Sequence, residues 1–179
     1  MRKLNVFLVA GIFITFIIHA LMASLRLFGA ETDTVKTIAF ICAGLICAHV
    51  AVTVILTVQT LHARKKSGAG YFRSNLMFWA RRISGLTILI PLLMHIFIFS
   101  GTGDDAFRLV TFTTGRFISQ IFLVVTIAFH GLINIRPLMI SLGAKSPKLF
   151  SADLIFIISV ILLIAAAAFS FYYLRWTSI

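Results

Sequence analysis

Five apolar runs, each near the ~20 residues that a helix needs to cross the hydrocarbon core of a bilayer, dominate this chain. They cover about 6–28, 37–61, 83–100, 117–135 and 154–174. Inside hydrocarbon no water is present to pair backbone N–H and C=O groups, so runs of this length must pair them internally, as helices. Ten-residue segments of alternating hydrophobicity, the mark of a membrane barrel, do not occur. The expected fold is therefore all-α and polytopic, with five transmembrane helices in one bundle and a single domain over 1–179. Composition agrees. Of 179 residues, 60% are hydrophobic and 12% charged, too little charge to cover a water-exposed surface. That excludes a water-soluble enzyme, a disordered chain and a disulfide scaffold. The first run exceeds the apolar core of a secretory signal and ends in no small-x-small cleavage motif, so it reads as a retained span.

The net charge of +11 orients the chain in its membrane and is not a nucleic-acid footprint. With the N-terminus inside, the inner loops hold Arg2, Lys3, Arg64, Lys65, Lys66, Arg73, Arg81, Arg82, Arg136, Lys145 and Lys148, whereas the outer side holds only Arg26, Lys36, Arg108, Arg116 and Arg175. Basic residues concentrate in cytoplasmic loops, so this arrangement is favoured. Four of the acids, Glu31, Asp33, Asp104 and Asp105, then lie outside. Cys42 and Cys47 match no metal spacing and read as packing residues.

Ionisable residues within a span are expensive and are candidates for function. Four of the five histidines fall one each on the first four runs: His19, His49, His95 and His130. His62 lies at the inner end of the second, beside Arg64, and reads as interfacial. Depth sorts the four. His19 is thirteen residues past Val6 and His95 thirteen past Arg82, which at ~1.5 Å per residue puts both roughly 20 Å from the inner surface. His49 is thirteen past Lys36 and His130 fourteen past Arg116, so these two lie roughly 20 Å from the outer surface and nearer the inner one. Two imidazoles at one level, on facing helices, can hold one haem iron from both sides. The expectation is an outer haem on His19 and His95 and an inner haem on His49 and His130, a ladder for electrons across the membrane. Gly44, Gly85 and Gly131 would permit close approach. A ligating histidine passes its other N–H to an acceptor; Thr15, Thr126 and the carbonyl of Thr87, freed by Pro91, are the acceptors expected one turn away. Arg81, Arg82 and Arg136 inside, and Arg26, Arg108 and Arg116 outside, could pair with haem propionates.

Two stretches add a family resemblance. Arg81-Arg82-Ile83-Ser84-Gly85, followed by His95, and His130-Gly131-Leu132-Ile133-Asn134-Ile135-Arg136-Pro137 resemble the arginine–Ser–Gly stretch and the His-x-x-x-Asn-x-Arg helix end of one family. It comprises the di-haem cytochrome b anchors of succinate:quinone oxidoreductases and quinol:fumarate reductases. The resemblance spans nearly the whole chain in topology. It implies two haem b groups, a quinone (menaquinone in many five-helix members), and flavoprotein and iron–sulfur partners on the cytoplasmic side of a cell's inner membrane. The chain would belong to an enzyme without binding the dicarboxylate itself. It implies Glu31, with Asp33 beside it, as the proton acceptor of an outer quinone site, and offers His62, Arg82 and Ser84 as an inner quinone alternative. One departure stands out. Some members are proposed to carry a glutamate near the inner histidine of the fourth helix, whereas Ala128 stands there and no acid falls within the five runs. That leaves a transmembrane proton path unsupported.

Two rival readings differ in kind. Another haem b subunit, of the formate dehydrogenase or hydrogenase type, would also use paired histidines. A haem-free membrane subunit would need some other reason for four histidines in hydrocarbon. The topology is directly testable. A fluorescent reporter fused within 64–75 or 137–150 should be active on the cytoplasmic side, and a periplasm-dependent phosphatase fused within 29–36 should be active on the other. The reverse pattern would invert the orientation and both histidine levels with it.

Overall fold

The computed structural model describes residues 1–30, 34–67, 75–100 and 110–178. Five helices follow one another: α1 (Arg2–Leu27), α2 (Val35–Ser67), α3 (Leu76–Ser100), α4 (Thr114–Ser141) and α5 (Pro147–Thr177). All five are long and apolar enough to cross a membrane, and no strand occurs among the described residues. The chain is an all-α polytopic membrane protein.

The helices outrun the apolar runs mainly at one end, the end where α1 begins. There α2 and α4 continue, and α3 and α5 start early, by six or seven residues each, or about 10 Å of extra helix. Hydropathy marks where a helix enters lipid, not where it stops, and the added turns are rich in the helix formers Ala, Leu, Met, Arg and Lys. Pro137, expected to close the fourth helix, is carried through it. The early start of α5 also brings Asp153 inside a helix, exposed in its second turn. The expectation of no acid within the helices thus holds for the apolar spans but not for this polar extension.

Glycine ends two helices by the same geometry. Gly29 (φ 104°) and Gly143 (φ 78°) adopt the left-handed conformation that suits a residue without Cβ. Paired bonds then cover the last carbonyls: Gly29 N–H to Arg26 and Ala30 N–H to Leu25 after α1, and Gly143 N–H to Ile140 and Ala144 N–H to Met139 after α4. This is the Schellman arrangement.

α1 packs on α2 and α5, and α4 packs on α3 and α5, while no comparable backbone packing joins α1 or α2 to α3 or α4 among the described residues. The helices therefore form an open chain, α2–α1–α5–α4–α3, with α5 joining two hairpins. A third of the apolar stretch of α5 is buried (33%), against 6% of that of α1. Its alanines let neighbouring backbones approach, and Ala168 is fully covered. Around it, at the end away from the N-terminus, Leu27, Ile98, Phe112, Phe169 and Tyr172 form the main core. Phe112 and Phe169 stack at 6.3 Å with 13° between planes. A smaller cluster of Ile135, Ile158 and Leu162 holds α4 to α5 nearer the other end. Cys42 is buried, as a packing residue should be, but Cys47 is exposed on α2, which corrects the packing role expected for it.

The Tyr172 hydroxyl closes the core. It donates to the carbonyl of Val110 at 3.0 Å and accepts that residue's N–H at 3.1 Å, satisfying backbone that no helix serves. Tyr172→Phe should lower the thermal midpoint of the detergent-solubilised protein, through the about 1–3 kcal/mol that an unpaired buried polar group costs. An unchanged midpoint would mean that water takes the hydroxyl's place.

Candidate functional site

The four intramembrane histidines stand on α1 to α4, and α5 carries none. His19 on α1 and His95 on α3 meet across the opening between the two hairpins. Their ring centroids are 6.1 Å apart and their planes perpendicular. Because α1 and α3 have no extensive backbone packing among the described residues, side chains close the bundle at this level. His95 is further framed by Phe99 at 5.1 Å and Phe169 at 6.4 Å, which ties it to the aromatic core around α5.

The polar contacts of His95 come from α4. Its Nδ1 lies 2.7 Å from Oε1 of Gln120, a side chain with no solvent exposure. Gln120 Nε2 donates to Ser119 Oγ at 3.0 Å, and the Ser119 hydroxyl donates to the carbonyl of Arg116 at 2.7 Å. His19 is different: its Nδ1 is buried and has no hydrogen-bond partner among the described residues.

The other level repeats the contrast. His130 Nδ1 is 2.9 Å from Ser84 Oγ on α3, and Ser84 also donates to the carbonyl of Arg81 at 3.2 Å. The Asn134 amide donates to the His130 carbonyl at 2.8 Å and passes 3.3 Å from Nδ1. His49 on α2 lies within electrostatic reach of both His130 and Arg82, yet its Nδ1 is buried without a partner among the described residues. The guanidinium of Arg82 rests over the Phe78 ring at 4.9 Å. Thus the histidines of α3 and α4 are tied through Nδ1 by hydrogen bonds, and among the described residues the Nδ1 atoms of those on α1 and α2 are not.

Gly85 explains how α3 and α4 can present this contact. A Cβ at Gly85 would lie 3.3 Å from Cε1 of His130, tighter than ordinary van der Waals contact, so the absent side chain lets the imidazole approach α3 this closely. Gly44 has open space beside it, and Gly131 lines a groove toward Ile155, Ile158 and Leu162 of α5. Of the three glycines expected near the histidines, only Gly85 presses on one.

Several expectations shift. Thr15 donates to Gly11 and Ile12 carbonyls and Thr126 to that of Leu123; neither serves the histidine four residues on. A threonine hydroxyl in a helix finds its own preceding carbonyl first, so the imidazoles are served from the neighbouring helix, by Ser84 and Gln120. Ser84, expected as a propionate or quinone contact, sits on His130. Arg136 is exposed and, six residues beyond His130, lies about 120° round the helix from it. The Arg116 guanidinium bonds the carbonyl of Thr111. His62 is exposed near the end of α2. Glu31, Asp33 and Arg108 lie outside the described residues. Gln120 and Asn134 were not anticipated as site residues. The depth arithmetic that paired the histidines would have found Gln120, an amide in hydrocarbon ten residues, or roughly 15 Å, along α4 from His130.

No cluster of three or more histidine, cysteine or acidic residues occurs among the described residues, so any metal here would rest on a pair. Two imidazoles bound to opposite sides of one metal, with bonds of about 2 Å and about 1 Å more to each ring centre, stand roughly 6 Å apart. The His19–His95 pair meets that spacing. Comparison with protein-family models, curated proteins and solved structures returned no match for this chain.

Gly85→Leu tests the local geometry. It should displace the His130 ring and leave His95 in place. In histidine-labelled protein, the ring 15N signals of His130 should move and those of His95 should not. Equal movement of both would mean that the substitution disturbs the bundle as a whole.

Proposed function

We propose that the protein is the membrane anchor of a succinate:quinone oxidoreductase or quinol:fumarate reductase: a di-haem cytochrome b of the cell's cytoplasmic membrane, with its N-terminus inside. One observation carries the reading, the approach of His19 and His95 to 6.1 Å across helices with no extensive packing of their own among the described residues. The buried Nδ1 atoms of His19 and His49, without a partner among the described residues, fit the same role, because a buried polar atom needs one. Bound haem iron would supply a one-electron couple at each level, its potential set by ligands, hydrogen bonds and burial.

On this reading His19 and His95 hold the outer haem, and His49 and His130 the inner one. Gln120 and Ser84 orient the rings of His95 and His130. The aromatic core beside His95 keeps water from that level. Arg82, near His49, is the best-placed cation for an inner propionate; Arg136 is less so. Glu31 takes protons from quinol, with menaquinone the expected type, at the outer side. The chain binds no dicarboxylate. It docks an iron–sulfur subunit and, through it, a flavoprotein at the end where the helices project, which presents exposed Lys3, Lys65, Arg136, Lys145 and Lys148 to an electronegative partner face.

The reduced-minus-oxidised spectrum of the purified protein should show haem b at about two per chain. His19→Ala and His95→Ala should each remove the same one, and His49→Ala and His130→Ala the other. A haem-free chain, or four variants that fail to sort into two pairs, would overturn the proposal. A co-purifying flavoprotein that oxidises succinate separates this reading from a formate dehydrogenase or hydrogenase subunit.

A further inference from the structure

We infer that Ser119 and Gln120 form a relay that locks His95 as its Nδ1–H tautomer and leaves Nε2 as the ring's acceptor nitrogen. The direction follows from proton counting. The Ser119 hydroxyl has one proton, and it is committed to the Arg116 carbonyl at 2.7 Å. Its oxygen then accepts from Gln120 Nε2 at 3.0 Å. With its nitrogen engaged there, the amide turns Oε1 to His95 at 2.7 Å. A carbonyl oxygen cannot donate, so the proton of that contact belongs to Nδ1, and a neutral imidazole carries only one. The reversed amide would need the Ser119 hydroxyl to leave Arg116 and donate to Oε1, which gives the set one hydrogen bond fewer. Exposure of Gln120 and Ser119 is 0% and 7%, so water is not at hand to replace the lost bond.

Ser84 reproduces the device in part. It too donates to the carbonyl three residues earlier, Arg81, and its oxygen lies 2.9 Å from His130 Nδ1, but the Asn134 amide reaches the same nitrogen at 3.3 Å, so the proton count does not fix a direction there. The relay on His95 is longer, and both its intermediate members, Gln120 and Ser119, are buried. Gln120 is therefore a positioning residue, acting through His95. The relay's consequence for redox rests on the cytochrome reading: an N–H donated to a carbonyl makes the opposite nitrogen a stronger electron donor. That favours oxidised iron and holds one haem below the potential it would otherwise have.

The tautomer is read from ring 15N signals in the full chain carrying His19→Ala, where no metal can bridge the pair. His95 should be protonated at Nδ1, and adding Gln120→Leu or Ser119→Ala should give a mixture of tautomers. In the His19-containing protein, redox titration should show Gln120→Leu raising one midpoint potential and not the other. Ser119→Ala should raise the same one by less, and Ser119→Thr, which keeps a hydroxyl, should restore it. A merely structural role would not give that order. Protonation of His95 at Nε2 overturns the relay, as do unmoved midpoints in both variants with two haems retained. A haem-free wild-type chain sinks the cytochrome reading alone, because the ring-nitrogen spectrum still decides the relay.

Discussion

An imidazole in hydrocarbon has two nitrogens that water would otherwise satisfy, and the organisation of this bundle follows from where those nitrogens can turn. A buried polar atom without a partner is costly, and an intramembrane side chain finds partners only on its own helix or on a neighbour. His95 and His130 find theirs on the neighbour, in Gln120 and Ser84. His19 and His49 bring an Nδ1 into the interior with none among the described residues. The division follows the hairpins: α3 and α4 serve each other's histidines, while α1 and α2 do not.

α5 makes that division matter. It packs on α1 and on α4, and so fixes the distance between hairpins that hardly touch directly. Its contribution is shape, through a dense aromatic and small-residue face, and it places no histidine in the interior. The aromatic core reaches His95 through Phe99 and Phe169. A substitution in α5 far from any histidine can therefore change the approach of His19 to His95 by altering the angle between hairpins.

The sequence made helices and levels legible because both depend on rise per residue, which is constant along an α-helix. Counting from Arg82 and Val6 was enough to place His95 and His19 at one height, and the structure brings their rings together. The azimuth of each side chain was not legible. It depends on which helices pack, and the open order α2–α1–α5–α4–α3 has no signature in hydropathy. Hence Thr15 and Thr126 looked like acceptors by spacing, whereas Ser84 and Gln120 hold the position. Gly44 and Gly131 resembled Gly85 for the same reason, though only Gly85 lies under an imidazole. Helix ends failed on different grounds: basic, amphipathic turns such as those of Lys65 or Lys148 continue a helix after hydropathy has left the bilayer.

The inequality between the hairpins has a consequence for how paired histidines could take up a flat apolar group. If all four rings were tied to protein, the group would have to match four fixed positions at once, and a small error in packing would prevent insertion. If all four were free, ordering each on binding would cost rotamer entropy and leave the plane undefined. One tied ring and one free ring at each level avoids both difficulties. The tied ring would set position and tautomer in advance, and the free ring would supply the second nitrogen by rotating about its side-chain bonds. Preorganisation would thus be concentrated in α3 and α4, and adaptability in α1 and α2, with α5, which packs on both hairpins, setting their separation.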